Sequence, residues 1–407
     1  MHILFLSDNF PPEVNAPASR TFEHCREWVR RGHRVTVVTC APNFPKGKVF
    51  AGYRNRLWQR EQVDGIEVIR VWSYITANEG FAKRVADYVS YAGAAFVASL
   101  FVRRCDIVVG TSPQFFTAVA AWAVGAVKRV PFLFELRDLW PESIKAVGAM
   151  QSSRAIEWLE RLELFLYRRA ARIVSVTHAF RDNLIRRGID GDKISVVTNG
   201  VDVERFRPMP KDPALVEKLD LGGQFVAGYI GTHGMAHALG TLLDAAHLLK
   251  ERRIRLLLLG DGAEKGALVE RAAREGLDNM IFVDTVTKDE VSRYWSVLDV
   301  SVIHLKATEL FTTVIPSKMF ESMGMGIPIV HGVAGESARI VDTTQAGVCF
   351  ASEDARQLAE TLMRLSESPE ELASLRRNCL AAAPRFDRSR LAGDMLEVME
   401  ATVAGAR

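Results

Sequence analysis

Closely spaced cysteine pairs are absent from this chain, and their absence excludes two kinds of small scaffold. The 407 residues include only five cysteines, and these lie far apart in the sequence. A zinc knuckle needs ligand pairs at short spacing and a disulfide framework needs a high cysteine density, so neither is predicted. We interpret the five as free, buried thiols of a protein in a reducing cytoplasm: Cys25, Cys40, Cys105, Cys349 and Cys379.

Long hydrophobic runs are missing as well. Met1–Leu6 is apolar but lacks a basic start and a small-residue cleavage site, so we expect a first strand and not a signal peptide. The apolar run Tyr88–Val102 is shorter than the roughly 20 residues that a spanning helix needs. We expect an ordinary packed helix there. The alternative is a helix lying in a membrane interface, because basic residues flank the run: Lys83, Arg84, Arg103 and Arg104.

A large excess of one charge sign is also absent. The net charge of +3 is small for a chain of 407 residues, so composition does not predict a nucleic-acid partner. Hydrophobic residues at 48% and charged residues at 25% are typical of a folded globular protein. The length exceeds what one hydrophobic core usually supports, and it therefore predicts two domains.

Short apolar runs alternate with stretches of helical spacing along the whole chain, which predicts α/β domains with doubly wound parallel sheets. Turn residues at Asn199–Asp202 and a following group of prolines interrupt this alternation. We therefore predict an N-terminal domain over 1–200 and a C-terminal domain over 201–386. Asp387 can cap a last helix that runs to about Val403, and spacing alone leaves open which domain this helix joins.

Two strand-end loops in the first half contain candidate binding residues, since ligands of such sheets bind beyond the carboxyl ends of the strands. The loop after strand one, with the helical turn that follows, is interpreted as facing a substrate, although a purely structural loop is the alternative. The loop after Glu135 continues with Arg137 and Asp138, which suit a phosphate or sugar and a hydroxyl, respectively. Its alternative is an internal Arg–Asp pair. The candidates of the first loop are Pro12, Glu13, Asn15 and Arg20.

The second half contains two glycine-containing strand ends that allow a close approach to phosphate. Gly231 and Thr232 follow one predicted strand, and Gly260 follows the next; the second signal is weak, because a tight turn also explains it. His233 and His237 lie four residues apart, but no third ligand is evident, so we do not predict a metal site.

The segment Ile315–Pro328 is the most informative of the chain. Ser317 is expected to cap a helix that begins near Lys318, and this helix start with its lysine would form an anion site suited to a diphosphate. Glu321 lies one turn further and can accept both hydroxyls of a ribose. The alternative is a Lys–Glu pair on a solvated helix; the glycines and proline that lead directly into the next strand argue against it.

Taken together, these motifs resemble the family-4 retaining glycosyltransferases, which have the GT-B fold of two Rossmann-like doubly wound domains facing a central cleft. Within that family they are similar to the fucosamine and colanic-acid transferases of bacterial surface polysaccharide biosynthesis, including O-antigen and lipopolysaccharide. The motifs that carry the resemblance are Phe10–Glu13, Leu136–Glu142, Asn199–Asp202 with Phe206 and Pro208, Gly260–Gly262 and Pro316–Glu321.

The resemblance implies that the second domain binds a nucleotide-sugar donor, that the first binds the acceptor, and that the last helix crosses back to the first domain. Glu321 would bind the ribose, Val286 the base, and Arg137, Asp138 and Lys318 would act at the reacting centre. Thr313 replaces the family's first glutamate, and the usual phosphate-clamp Arg and Lys are missing, so Lys318 and Arg137 are the expected substitutes. The implied donor site comprises Gly231, Thr232, Gly260, Val286, Thr313, Pro316, Ser317, Lys318 and Glu321.

The implied reaction is transfer of a sugar, such as an N-acetylated deoxyhexose, from a UDP-sugar to a lipid-linked saccharide with retention. No metal is expected, because no strand-end loop contains an Asp-x-Asp pair. The protein would be cytoplasmic, with peripheral contact at the inner membrane face. Alternatives are a small soluble acceptor, a non-catalytic two-lobed binding protein, and a GT-B UDP-sugar epimerase or hydrolase that uses Asp138 and Glu142.

Overall fold

The structure, a computed structural model, describes residues 1–44, 46–76, 81–112, 114–139, 154–287 and 290–406. The chain folds into two compact units. The first comprises Met1–Thr198 together with Arg388–Arg407, and the second comprises Asn199–Asp387. The linker expected near residue 200 lies at this division, and the C-terminal helix belongs to the first unit.

The first unit is built on an eight-stranded sheet with strand order β3-β4-β2-β1-β5-β6-β7-β8. All pairs are parallel except β3 with β4. The order reverses between β1 and β5, which is where ligands of such sheets bind. The strands are β1 His2–Leu6, β2 Arg34–Cys40, β3 Trp58–Val63, β4 Ile66–Val71, β5 Ile107–Thr111, β6 Phe132–Leu136, β7 Arg172–Ser175 and β8 Ile194–Val196.

The edge strand β3 was not predicted from the sequence. Its residues alternate between half-buried and exposed positions and include no apolar run. A two-residue turn of Asp64 and Gly65, with φ of +48° and +80°, joins it to β4. Such Asp-Gly turns are typical of tight hairpins. The turn sequence could therefore have revealed this strand, whereas the residues of the strand could not.

Helices cover both faces of the first sheet. In β1, Leu4 and Leu6 pack into the core on one face, while Ile3 and Phe5 pack into the core on the other. The C-terminal helix packs into the core that contains Ile3 and Phe5. There the Trp28 indole donates to the carbonyl oxygen of Ala392 at 2.8 Å. The helices are Ala16–Arg30, Phe81–Leu100, Phe115–Lys128, Arg154–Arg169, His178–Arg186 and Arg388–Ala406.

The second unit contains a fully parallel six-stranded sheet with order β11-β10-β9-β12-β13-β14. This Rossmann-type order reverses between β9 and β12. The strands are β9 Phe225–Ile230, β10 Ile254–Leu259, β11 Met280–Val283, β12 Val300–His304, β13 Ile329–Gly332 and β14 Gly347–Cys349. The helices are Pro213–Lys218, Gly240–Leu248, Lys265–Arg274, Val291–Ser296, Lys318–Met325, Glu336–Thr344, Ala355–Ser366 and Pro369–Ala382.

Candidate functional site

The glycines after β9 and β10 bring two strand-end loops into direct contact. A Cβ atom on Gly260 would lie 1.9 Å from the carbonyl oxygen of Gly231, and one on Gly262 would lie 2.4 Å from the carbonyl oxygen of His233. These positions therefore require glycine for packing alone. Thr232 lies between Gly231 and His233, and its carbonyl oxygen accepts a hydrogen bond from the Tyr229 hydroxyl at 2.8 Å.

The side chain of Lys318 extends to the end of β9 and the loop that follows it. Its ammonium nitrogen lies 3.6 Å from the centroid of the Tyr229 ring, and a Cβ atom on Gly231 would lie 2.6 Å from it. Although Lys318 as a residue is half-buried, this Nζ atom is shielded from solvent and has no hydrogen-bond partner in the described structure. Burial lowers the pKa of Lys318 to about 7, against the opposing effect of Glu321. Lys318 is thus not part of a solvated surface pair.

The helix Lys318–Met325 is anchored by Met319 and Phe320, which are fully buried. Glu321 is half-buried on its first turn. The expected side-chain cap is wrong: Ser317 lies at the N-cap position, but its backbone is already helical and its hydroxyl makes no capping bond. A residue with helical φ and ψ cannot direct its side chain back to the first free N–H groups in the usual way.

The remaining donor-site candidates lie on neighbouring loops. Thr313 ends a short 3₁₀ turn, and its hydroxyl donates to the carbonyl oxygen of Leu310 at 2.7 Å. Pro316 and Val286 are half-buried, and Val286 packs against the core below the sheet edge. The structure thus places all of them in the second unit, after the carboxyl ends of β11 and β12.

Two histidines in the loop after β9, His233 and His237, are uncharged near neutral pH because burial lowers their pKa values. Burial, followed by the charges of Lys265 and Lys318, lowers the pKa of His233 to about 4; burial also lowers the pKa of His237 to about 4. Both ring nitrogens of His233 lack a hydrogen-bond partner among the described residues. Within this described set, no group of three or more His, Cys, Asp or Glu side chains is arranged to hold a metal ion. From the sequence, His233 was considered only as a metal ligand, although its place directly after β9 marks it as a site residue.

In the first unit, the loop after β6 is attached to the first turn of the helix Ala16–Arg30. Arg137 donates to the carbonyl oxygens of Ala16 at 3.2 Å and Pro17 at 3.3 Å. The backbone N–H groups of Arg137 and Asp138 donate to the Ser112 hydroxyl at 2.7 and 3.1 Å. Trp140, Pro141 and Glu142 of the same motif lie outside the described residues.

Arg20 has a structural role instead of the ligand contact expected from its loop. It is buried, donates to the Glu135 carboxylate at 2.9 Å, and also donates to the carbonyl oxygens of Val197 and Thr198. Burial alone would raise the pKa of Glu135, but the guanidinium groups of Arg20 and Arg137 hold it below its ordinary value. Arg20 therefore links the helix Ala16–Arg30 to β6 and to the residues that follow β8.

The first strand-end loop lines a cavity of about 360 Å³. Asn15 caps the following helix through a bond from the Ala18 N–H at 2.8 Å, and Pro12 is exposed. Glu13 is buried, and one of its oxygens accepts the backbone N–H groups of Asn43 and Phe44 at 2.8 and 2.9 Å. The cavity also includes polar residues that were not among the sequence candidates: Asp8 of the same loop, and Asp87 and Gln114, which come from distant segments.

The helix Phe81–Leu100 has two faces. Tyr91, Ala95 and Ala98 pack in the core, whereas Val89 and Val97 are exposed, and the adjoining Phe101 is 67% exposed. No helix in the described part of the chain is both long and apolar enough to cross a bilayer.

Comparison with known families assigns both halves of the chain. Residues 15–200 match the model of the "Glycosyl transferase 4-like domain", and residues 224–368 match "Glycosyl transferases group 1". A curated relative, the putative colanic acid biosynthesis glycosyl transferase WcaI of Escherichia coli K12, is 22% identical over 334 residues, covering 80% of this chain and 82% of the relative. The GDP-mannose-dependent alpha-mannosyltransferase of Mycobacterium tuberculosis is 23% identical over 354 residues, covering 86% and 83%.

Solved glycosyltransferase structures have the same fold. HepE of Anabaena, crystallised with UDP and glucose, superposes with a TM-score of 0.73 at 18% identity and covers 98% of this chain and 99% of its own. Sucrose-phosphate synthase of Thermosynechococcus elongatus gives a TM-score of 0.78 at 15% identity, covering 99% of both chains. WaaG, a glycosyltransferase of lipopolysaccharide biosynthesis, gives 0.68 at 16% identity, covering 98% and 99%. At these identities the likeness concerns the fold, and it confirms the predicted fold class.

Proposed function

Because the chain belongs to the family-4 glycosyltransferases with the GT-B fold, we propose that it moves a sugar from a UDP-sugar to a lipid-linked saccharide of a bacterial surface polysaccharide, with retention at the anomeric carbon. The main support for donor binding is the buried ammonium of Lys318 at the carboxyl edge of β9, which has no hydrogen-bond partner among the described residues. Surface polysaccharide assembly is supported by the names of WcaI and WaaG.

The donor site consists of Lys318 and Glu321 with the loops after β9, β10 and β11. Lys318 faces the diphosphate, Glu321 accepts the ribose hydroxyls, and the main chain near Val286 contacts the base. Apart from its contact with the Tyr229 ring, the buried ammonium of Lys318 has no hydrogen-bond partner in the described part of the chain, and a diphosphate would supply the missing anionic acceptors. UDP is favoured by its presence in HepE, and GDP is the competing nucleotide named for the mycobacterial relative.

The reaction needs no protein nucleophile in this proposal. The bond between the anomeric carbon and the diphosphate oxygen breaks, the acceptor oxygen bonds to the same face of that carbon, and its proton passes to the departing phosphate. Lys318 stabilises the charge that builds on the diphosphate. Arg137, which retains donors beyond its two carbonyl contacts, and Asp138 position the sugar hydroxyls.

The first prediction concerns donor choice and transfer. Among UDP-, GDP- and ADP-sugars, only a UDP-sugar should raise the melting temperature, since a ligand present at 100 times its Kd stabilises the folded state by about 2.7 kcal/mol. Product analysis with that donor and a lipid extract should show a glycosylated lipid. Conversion of the donor without any acceptor would instead support the epimerase or hydrolase alternative.

The same assay tests the proposed independence from metal. Lys318 supplies positive charge where other glycosyltransferases use a divalent cation, so transfer should continue in excess EDTA. Complete loss that Mg²⁺ or Mn²⁺ restores would contradict this part of the proposal.

The first unit, which would bind the acceptor, is proposed to contact an anionic bilayer. Val89 and Val97 are exposed on the helix Phe81–Leu100, and Phe101 directly follows it. The ring of Phe101 contacts that of Trp58, which adjoins Leu57, and Leu57 is 81% exposed. Arg103 and Arg104 are exposed next to this patch. Apolar side chains beside basic ones match a surface of acidic lipid headgroups.

The second prediction is that the protein floats with vesicles containing phosphatidylglycerol and that high salt releases it. Phe101→Ser should reduce the floated fraction severalfold, because it removes the most exposed ring of the patch. Val269→Ser, a change at an exposed apolar residue of the second unit, is the matched control. Wild-type protein that stays in the dense fraction at low salt would refute membrane contact. That result would favour a soluble acceptor, as for the relative from Catenulispora acidiphila named "D-inositol 3-phosphate glycosyltransferase 2", which is 27% identical over 252 residues.

A further inference from the structure

The cavity of the first unit contains buried oxygen atoms that accept no described hydrogen bond. The Oδ1 atom of Asp8, the Oε2 atom of Glu13 and the Oε1 atom of Gln114 are all buried, and none has a hydrogen-bond partner among the described residues. Glu13 is only 2% exposed as a whole residue. An acceptor left unsatisfied in this way costs about 1–3 kcal/mol, so three of them in one cavity require an explanation.

Three carboxyl groups of the same cavity are also poorly stabilised in their ionised form. Burial raises the pKa of Glu13 and of Asp87 to about 7, and it raises the pKa of Asp8 as well. The charge of Asp8 adds to the increase at both of the other carboxyl groups. Arg84 also lines the cavity, but among the described residues neither it nor any other cation forms an ion pair with these three carboxyl groups. Arg70, which acts weakly on Glu13, is bound to Glu61 instead.

We propose that this cavity binds the free, positively charged amino group of an amino-sugar unit in the acceptor. The inference rests on the proposed function in one respect, namely that the acceptor is a saccharide. An ammonium group brings up to three N–H donors, one for each open acceptor, and a positive charge that stabilises the ionised form of the carboxyl groups. The volume of about 360 Å³ lies at the lower end of the range for small-ligand pockets and suits a single sugar unit.

Other occupants fit less well. A neutral hydroxyl has one donor and leaves the charge of Asp8, Glu13 and Asp87 uncompensated. The described carboxylates are not arranged as a cluster that could hold a metal ion. Phe44 and Tyr88 also line the cavity, and aromatic rings offer a surface both for the apolar face of a sugar and for a cation.

The test compares two sugars that differ at the amino group. D-Glucosamine and N-acetyl-D-glucosamine are titrated into the full chain by saturation-transfer NMR near neutral pH. Glucosamine should bind at least about tenfold more tightly, because acetylation removes the charge and two of the donors. Its binding should weaken as the pH falls below about 7, because the carboxyl groups of Glu13 and Asp87 are then protonated.

The variant Glu13→Gln keeps an oxygen for the N–H groups of Asn43 and Phe44 but removes the charge, and it should lose glucosamine binding at least about tenfold. Asp87→Asn gives a second variant if the first does not fold. Glu157→Gln, at an exposed position of the same unit, should bind as the wild type does.

Equal binding of the two sugars, binding of neither, or unchanged glucosamine affinity in both folded cavity variants would overturn the inference. UDP affinity is measured in the same samples. Normal UDP binding together with a negative sugar result would reject the amine site alone, whereas failure of the wild type to bind any nucleotide would reject the proposed donor site.

Discussion

Replacing Glu321 by alanine should weaken UDP binding by at least about tenfold. A hydrogen bond to a charged group contributes about 1.5–3 kcal/mol, and each 1.4 kcal/mol corresponds to a factor of about ten in affinity. Glu321 is placed to supply such bonds because its helix is anchored by buried Met319 and Phe320, so the carboxylate has little freedom to move away.

The measurement is calorimetric titration of UDP into each variant at a pH below 7. This condition matters because Glu321 also raises the pKa of Lys318, which is about 7 in the protein, and losing the carboxylate would otherwise discharge the lysine as well. Glu360→Ala, an exposed acid of the same unit, is the control, and unchanged melting temperatures without ligand exclude a folding defect. Wild-type affinity in Glu321→Ala would remove this residue from the site.

Lys318→Met should lower kcat far more than it weakens binding of the intact donor. The diphosphate gains negative charge only as the glycosidic bond breaks, so a cation beside it stabilises the transition state more than the ground state. Removing one such preorganised group typically costs about 10²–10³ in kcat. Steady-state rates set against the Kd of the donor separate the two effects. Equal losses in kcat/KM and in affinity, with kcat unchanged, would assign Lys318 to ground-state binding only.

Lys318 also makes nucleotide binding depend on pH. Its pKa of about 7 lies far below the ordinary value, because burial disfavours the charged form, while a bound diphosphate favours that form. UDP affinity should therefore be nearly constant between about pH 6 and pH 7 and fall by up to about tenfold per pH unit above pH 7, with uptake of a proton on binding. Phosphate itself titrates near pH 6, outside this window. Lys318→Met should abolish the slope, and a slope that persists would show that another group takes up the proton.

The alternation of strands and helices, the break near residue 200 and the strand-end positions of the proposed donor residues were predictable from sequence. Each depends on local information: apolar runs of strand length, turn residues at Asn199–Asp202, and a lysine and an acid one turn apart at Lys318 and Glu321. The polar strand β3 was not predictable in this way, because its identity depends on the neighbour with which it pairs. The side-chain cap expected from Ser317 is absent because residue type alone does not determine φ and ψ, which are helical at this position.

The class of fold and the loops in which chemistry is possible follow from residue order, because apolar runs specify buried parallel strands and the positions of their ends. The roles of individual charges in those loops depend instead on the tertiary contacts. Arg20 is bound to Glu135, 115 residues away, and so leaves the candidate site. Lys318 becomes desolvated over the Tyr229 ring with no described hydrogen-bond partner, and Asp87 of a later helix meets Asp8 and Glu13 of the first strand-end loop in one cavity. Desolvation and charge pairing depend on which distant segments come together, and the spacing of residues along the chain does not specify that.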